Sequence, residues 1–193
     1  NELMKSENQI NTPPIIETQR LILRPFNMDD AAAVVRFGSE NRTQELTGDV
    51  GIYTIEKAEE IISQVWLKEY AQYGYARMAV VVKATDELIG FSGLKHLPQL
   101  ELPDLGYRFL PDYWGQGIAT EAGDAILDWG FKSFEFKKVM AFSFAFNFGS
   151  MGVLRKLGFN YIKHAPFPGE NGSGLNWYER YRNDDERARN KDS

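Results

Sequence analysis

One stretch limits this chain more than any other: Tyr113-Trp114-Gly115-Gln116-Gly117-Ile118-Ala119-Thr120-Glu121-Ala122. A strand-like segment, residues 105–110, runs into it, and a helix-like segment, residues 122–131, leaves it. Two glycines and two small residues, Ala119 and Thr120, sit at the joint. Glycine lets a backbone curl and approach a ligand closely, and a helix start offers unpaired N–H groups and a positive dipole end. The joint therefore predicts a cradle for the pyrophosphate of a cofactor. Taken by itself it fits a tight turn equally well, so other segments have to decide.

The 193 residues suffice for one domain with a sizeable core. With 43% hydrophobic and 25% charged residues the chain reads as globular. The absence of cysteine excludes disulfides, thiolate metal sites and a cysteine nucleophile. A net charge of −5 shows none of the basic excess of a nucleic-acid binder, so no nucleic-acid partner is expected. No apolar run is long enough to span a membrane, and the cytoplasm is the expected compartment. His96 and His164 lack the spacing of a metal pair, and no metal is expected.

Residues 1–14 are polar and aperiodic, a mobile lead-in, and residues 183–193 form a charged tail. Between them, residues 17–24 read as a strand, with Leu21 and Leu23 alternating against Ile22 and Arg24. Asn27 caps a first helix and Thr54 a second, which ends near Gly74. Strands at 76–83 and 88–95 turn at Thr85-Asp86, and a polar loop at 98–103 follows. Further strands are expected at 138–144, 159–164 and 175–181, a short helix at 149–157 stopped by Gly158, and a flexible loop at 169–174. The helices are too few for strict βαβ alternation. The expected fold is α+β: a mixed, largely antiparallel twisted sheet with helices on both faces.

Two more segments carry chemistry. Asn147-Phe148-Gly149-Ser150 places an amide and a hydroxyl three residues apart at a strand-to-helix joint. That spacing suits helix capping and also suits two groups aimed at one ligand. Asp86-Glu87-Leu88-Ile89-Gly90-Phe91-Ser92-Gly93-Leu94 is a turn followed by a strand rich in small residues. With the glycine joint, and in this order, the segments resemble the GNAT superfamily of acyl-CoA-dependent N-acetyltransferases. The opening Glu17-Thr18-Gln19-Arg20-Leu21-Ile22-Leu23-Arg24-Pro25-Phe26, the Leu105-Gly106-Tyr107 run and the Asn147 to Phe159 run are similar to the Rim-type branch, which acetylates N-termini of ribosomal proteins, and to relatives acting on small amines.

The resemblance implies a single N-acetyltransferase domain over residues 15–182. Acetyl-CoA, the cosubstrate, would lie in a splayed gap between two central parallel strands, here 105–110 and 138–144. Backbone groups of Phe109 and Leu110 would pair with the pantetheine arm, and N–H groups of Gly115, Gln116, Gly117, Ile118, Ala119 and Thr120 would hold the pyrophosphate. Asn147 would bond the pantetheine region, and Arg155 or Lys156 would reach the 3′-phosphate. The acetyl group would pass directly to a primary amine, either a protein N-terminus or a small molecule. Ser150 is the candidate donor to the departing thiolate, and Asp104 the candidate base, with Glu121 and Glu101 as alternatives.

Two departures stand out. Trp114 occupies a position where the wider superfamily has Gln or Arg. Leu154 occupies a position where many members carry a tyrosine acid. The second leaves open a non-catalytic acyl-CoA-binding protein on the same fold. No Gly-x-x-x-x-Gly-Lys-Ser/Thr run and no Gly-x-Gly-x-x-Gly spacing support another nucleotide fold. A homodimer is compatible with the resemblance and undecided by the sequence. Phe142, Phe144, Phe146, Phe148 and Trp177 are expected mostly in the core, with one or two left for an acceptor pocket.

Overall fold

Period-two alternation builds the sheet. Leu21 and Leu23 are fully buried while Ile22 and Arg24 between them are only half-buried. The computed structural model describes residues 12–47 and 50–183; most of the expected lead-in and nearly all of the charged tail lie outside the described residues. Among the described residues eight strands form one sheet: β1 (Ile16–Glu17), β2 (Leu21–Arg24), β3 (Arg77–Val82), β4 (Glu87–Leu97), β5 (Leu102–Phe109), β6 (Lys138–Ser143), β7 (Asn160–Ala165) and β8 (Leu175–Tyr181). Their spatial order is β1-β2-β3-β4-β5-β6-β8-β7. Every neighbouring pair is antiparallel except β5 and β6. The mixed, mostly antiparallel architecture is the one the sequence predicts.

Helices cover both faces. The side chain of Asn27 accepts from the Asp29 N–H, and Asp30 closes a reciprocal capping box. A short 3₁₀ turn there leads into α1 (Ala31–Gly38). After α2 (Asn41–Thr47), Thr54 caps α3 (Ile55–Ile61) by accepting from the Lys57 N–H at 3.1 Å. One π-helical turn, Ile62–Trp66, joins α3 to α4 (Leu67–Tyr73), which Gly74 ends in the left-handed region. These helices pack on one face, with α1 and α4 against β4. On the other face lie α5 (Ile118–Ser133), against β4 and β5, and α6 (Phe148–Lys156), against α5 and β6. On α5 the buried Ile118, Ala122, Gly123, Ile126, Leu127 and Gly130 form one stripe at helical spacing. Phe26, Phe37, Trp66 and Phe91 join under α1 and the π turn, with Phe26 stacked on Trp66 at 4.1 Å. No described helix is long and apolar enough to cross a membrane.

Three local expectations change. Residues 17–24 are not one strand but a hairpin, with Ile16 opposite Leu23. Thr18 makes the turn: its N–H donates to the Leu21 carbonyl at 2.9 Å and its hydroxyl accepts from the Leu21 N–H at 3.1 Å. The short helix α2 was not expected, since Asn41–Thr47 carries no apolar stripe. The polar loop at 98–103 is shorter than expected because Leu102 and Pro103 already belong to β5, opposite Leu97 and His96.

Candidate active site

The glycine joint takes the shape that its residues require. Gly115 and Gly117 both adopt positive φ, +73° and +79°, and Gly117 caps α5 without any side-chain acceptor. The first N–H groups of α5 therefore have no side-chain cap. Ile118 buries its side chain in the core, and the Gln116 side chain turns away to donate to the Asp112 carbonyl at 2.9 Å. Trp114 donates its indole N–H to the Phe109 carbonyl at 2.9 Å, tying the loop to the end of β5.

Arg20 clamps this loop from the N-terminal hairpin. Its Nη1 donates to the Gln116 carbonyl at 2.9 Å and its Nε to Glu121 Oε1 at 2.7 Å. Glu121 Oε2 also accepts from the Thr18 hydroxyl at 2.5 Å and the Arg20 N–H at 3.0 Å. Burial raises the Glu121 pKa, but the bonds from Thr18 and Arg20 outweigh it and hold the carboxylate below its usual range. Both oxygens are engaged, so Glu121 anchors the loop, which is not the work of a base.

Beside the loop the sheet opens. β5 and β6 are parallel and bridged only at Asp104 and Met140. The Leu110 N–H donates to the Ile89 carbonyl at 2.9 Å, toward β4, and its carbonyl accepts from the Tyr113 N–H. Alternation then turns the backbone of Tyr107 and Phe109 away from β4, toward the gap. Phe109 thus offers the gap a backbone N–H, whereas the backbone groups of Leu110 are engaged elsewhere. This departs from the expectation that both would face the cofactor, because the regular β4–β5 ladder fixes the parity.

A cleft of about 530 Å³ passes through this gap. On the α5–α6 side it is lined by Tyr107, Asn147, Ser150 and Leu154. Asn147 caps α6, its Oδ1 accepting from the Ser150 N–H at 3.1 Å, and both lie at the cleft. The Ser150 hydroxyl meets the Tyr107 hydroxyl at 2.7 Å. Burial pushes the Tyr107 phenol up to about 12, against the opposing pull of its bond to Ser150. Tyr107 therefore stays protonated at neutral pH. Ser143, at the end of β6, is buried in the cleft wall, and its hydroxyl has no hydrogen-bond partner among the described residues. Lys156 is exposed at the far end of α6, about 9 Å of helix rise from Ser150, and does not line the cleft.

On the opposite side the cleft is walled by Trp66, Arg77, Phe91, Asp104, Phe142 and Phe167. Arg77 Nη1 lies 3.0 Å from Asp104 Oδ1 and donates to the Gly93 carbonyl at 2.6 Å. Gly106 leaves room for that guanidinium, which a Cβ there would meet. Asp104 Oδ1 is buried against Arg77, and among the described residues no hydrogen bond reaches it, so its charge is held by the ion pair. Glu170 lines the mouth and forms no ion pair among the described residues. Glu101 sits at the β4–β5 turn and does not line the cleft. Of the aromatic residues expected in the core, Trp177 is buried, and Phe142 and Phe144 line the cleft. Phe146 and Phe148, 56% and 76% exposed, are not core residues: the α6 cap turns them outward. Among the described residues there is no group of three or more His, Cys, Asp or Glu that could hold a metal.

A sheet split between parallel central strands, with an uncapped helix start beside the split, suits an extended, phosphate-bearing ligand. The model of the acetyltransferase (GNAT) domain matches residues 20–160. Over 149 residues the chain is 32% identical to the uncharacterized N-acetyltransferase YoaA of Bacillus subtilis (strain 168), covering 76% of this chain and 82% of that protein. The ribosomal-protein-S5-alanine acetyltransferase of Vibrio fischeri superposes with a TM-score of 0.72 at 22% identity, over 89% of this chain and 98% of that one. The spermidine N-acetyltransferase of Vibrio cholerae, solved with CoA and spermine, superposes with a TM-score of 0.69 at 16% identity, over 85% and 96%. The chain belongs to the GNAT acetyltransferase family and is an N-acetyltransferase.

Proposed function

We propose that this enzyme transfers the acetyl group of acetyl-CoA directly to a primary amine. The observation that carries the reading is the gap between β5 and β6, which opens beside the uncapped start of α5. The N–H groups of Gly115 to Thr120 suit the pyrophosphate, the backbone of Tyr107 and Phe109 suits the pantetheine amides, and the unpartnered Ser143 hydroxyl suits a further polar atom of the same arm. Asn147 contributes by fixing Ser150 at the cap. Lys156 is left to a 3′-phosphate outside the cleft. The run from Glu17 to Phe26, the Leu105-Gly106-Tyr107 segment and the Asn147 to Phe159 run favour the Rim-type branch.

In the reaction the amine nitrogen bonds to the thioester carbon. The C–S bond then breaks with its electron pair on sulfur. Ser150 donates a hydrogen bond to that sulfur and stabilises the thiolate, and Tyr107, remaining protonated, donates to Ser150 Oγ so that the serine hydrogen stays free for the sulfur. The Asp104 carboxylate takes the proton that the amine loses. Glu170 is the second candidate for this step, favoured by its lack of an ion pair. The buried Leu154 then removes no essential donor, because the hydroxyl pair on β5 and α6 supplies a hydrogen bond to the leaving thiolate.

The test is Ser150→Ala, measured by thiol release and by calorimetric titration with acetyl-CoA. We expect kcat to fall by about 100-fold with the acetyl-CoA Kd within about twofold of the parent. Equal loss of rate and affinity, or no loss of rate, would overturn the donor role. Failure of the parent protein to bind acetyl-CoA would overturn the whole reading.

A further inference from the structure

The acceptor side of the cleft has a composition of its own. Its walls are largely aromatic: Phe91 stands beside Trp66 with ring centroids 6.1 Å apart, and Phe142 packs edge-on to Phe167 at 5.6 Å. The charges do not follow the chain as a whole, which carries a net −5. Three cations reach the lining, Arg77, Lys95 and Arg108, against two carboxylates, Asp104 and Glu170.

Each of these charges is already committed except one. Arg77 holds Asp104 at 3.0 Å, Lys95 holds Glu69 at 2.9 Å, and Arg108 donates to the Gly38 carbonyl at 3.1 Å. Glu170 alone among these carboxylates lacks an ion pair among the described residues, and it lies at the mouth beside Phe167. A polyamine or an aminoglycoside brings two or more ammonium groups. Each beyond the first would lose water beside fixed cations without a carboxylate to receive it. A single ammonium on an apolar body meets no such difficulty. Its charge pairs with Glu170 on entry and its body replaces water against the rings.

Resting on the acetyltransferase reading above, we infer that the acceptor is a monoamine carried on an apolar, preferably aromatic, body, and that polycationic amines are excluded. The same chemistry occurs in free arylalkylamines and in peptides that begin with an aromatic residue.

The experiment compares phenethylamine, the tripeptide amide Phe-Ala-Ala-NH2 and spermidine as acceptors with the full chain, after titration with acetyl-CoA. We expect kcat/KM for phenethylamine or the tripeptide to exceed that for spermidine by about tenfold or more. The better of the two then names the source. Glu170→Gln should raise the KM for the preferred monoamine by about three- to tenfold, leaving the acetyl-CoA Kd unchanged. Equal or better use of spermidine overturns the proposal. So does turnover of none of the three, and acetyl-CoA binding in the same preparation then leaves the cofactor reading standing.

Discussion

The hydroxyls of Tyr107 and Ser150 come from segments 43 positions apart in the chain, yet they meet at 2.7 Å. In that geometry one of them donates to the other; the raised pKa of the buried phenol keeps Tyr107 protonated, as the donor of the proposed mechanism. Tyr107→Phe should then lower kcat by about tenfold in the parent and have almost no further effect in Ser150→Ala. A purely structural tyrosine would lower kcat by the same factor in both backgrounds, so steady-state kinetics on the four proteins decides. Ser150 and Asn147 could be named from the sequence because their relation is local: three residues at a helix start. Tyr107, Arg77 and Glu170 could not be given roles. Each works through a partner or a wall that only the folded sheet supplies, as when Arg77 crosses from β3 to Asp104 on β5.

Among the elements, the loop before α5 was the most legible, since two glycines before a helix leave few shapes for the backbone. What the sequence hid is the outside support. Nothing local in Thr18 or Arg20 announces a bond to Glu121 a hundred residues later, and residues 17–24 looked like one strand because hairpin and strand share the same alternation. The network gives Glu121 a pKa lower in the folded than in the unfolded chain. Its contribution to stability is therefore complete above the unfolded value of about 4.3 and disappears as pH falls through the folded one. Glu121→Gln should lower Tm by about 2–4 °C at pH 7, and the difference should begin to shrink as pH falls below about 4.3 and vanish below the folded pKa. The same variant should bind acetyl-CoA about three- to tenfold more weakly at pH 7, since Arg20 loses its anchor on the loop. Thermal melts across pH and one titration check both. A Tm difference that does not shrink on acidification below about pH 4.3 would refute the electrostatic account.

At the scale of the whole molecule, the halves β1–β5 and β6–β8 share a single bridged pair in the middle of the sheet. A ligand in the gap would complete a ladder that the chain leaves open. Acetyl-CoA at about 100 times its Kd should stabilise the fold by about 2.7 kcal/mol, which for a chain of this size is a Tm rise of roughly 5–10 °C. Amide exchange at Tyr107 and Phe109 should slow along with it. A Tm rise without slower exchange at these two residues would place the ligand elsewhere.

Unpaired strand edges invite other polypeptides to add on, and proteins pay heavily in aggregation when such edges face outward. Here the open edge is internal. It is closed at one end by Asp104 and Met140 and roofed by α5 and α6 on one face. A second protein strand, with side chains on every residue, would need both halves of the sheet to move apart before it could enter. A thin, unbranched chain with widely spaced amides needs no such movement. The opening is thus selective by girth: it keeps the backbone groups of a strand available for recognition while denying them to the most abundant molecules able to misuse them.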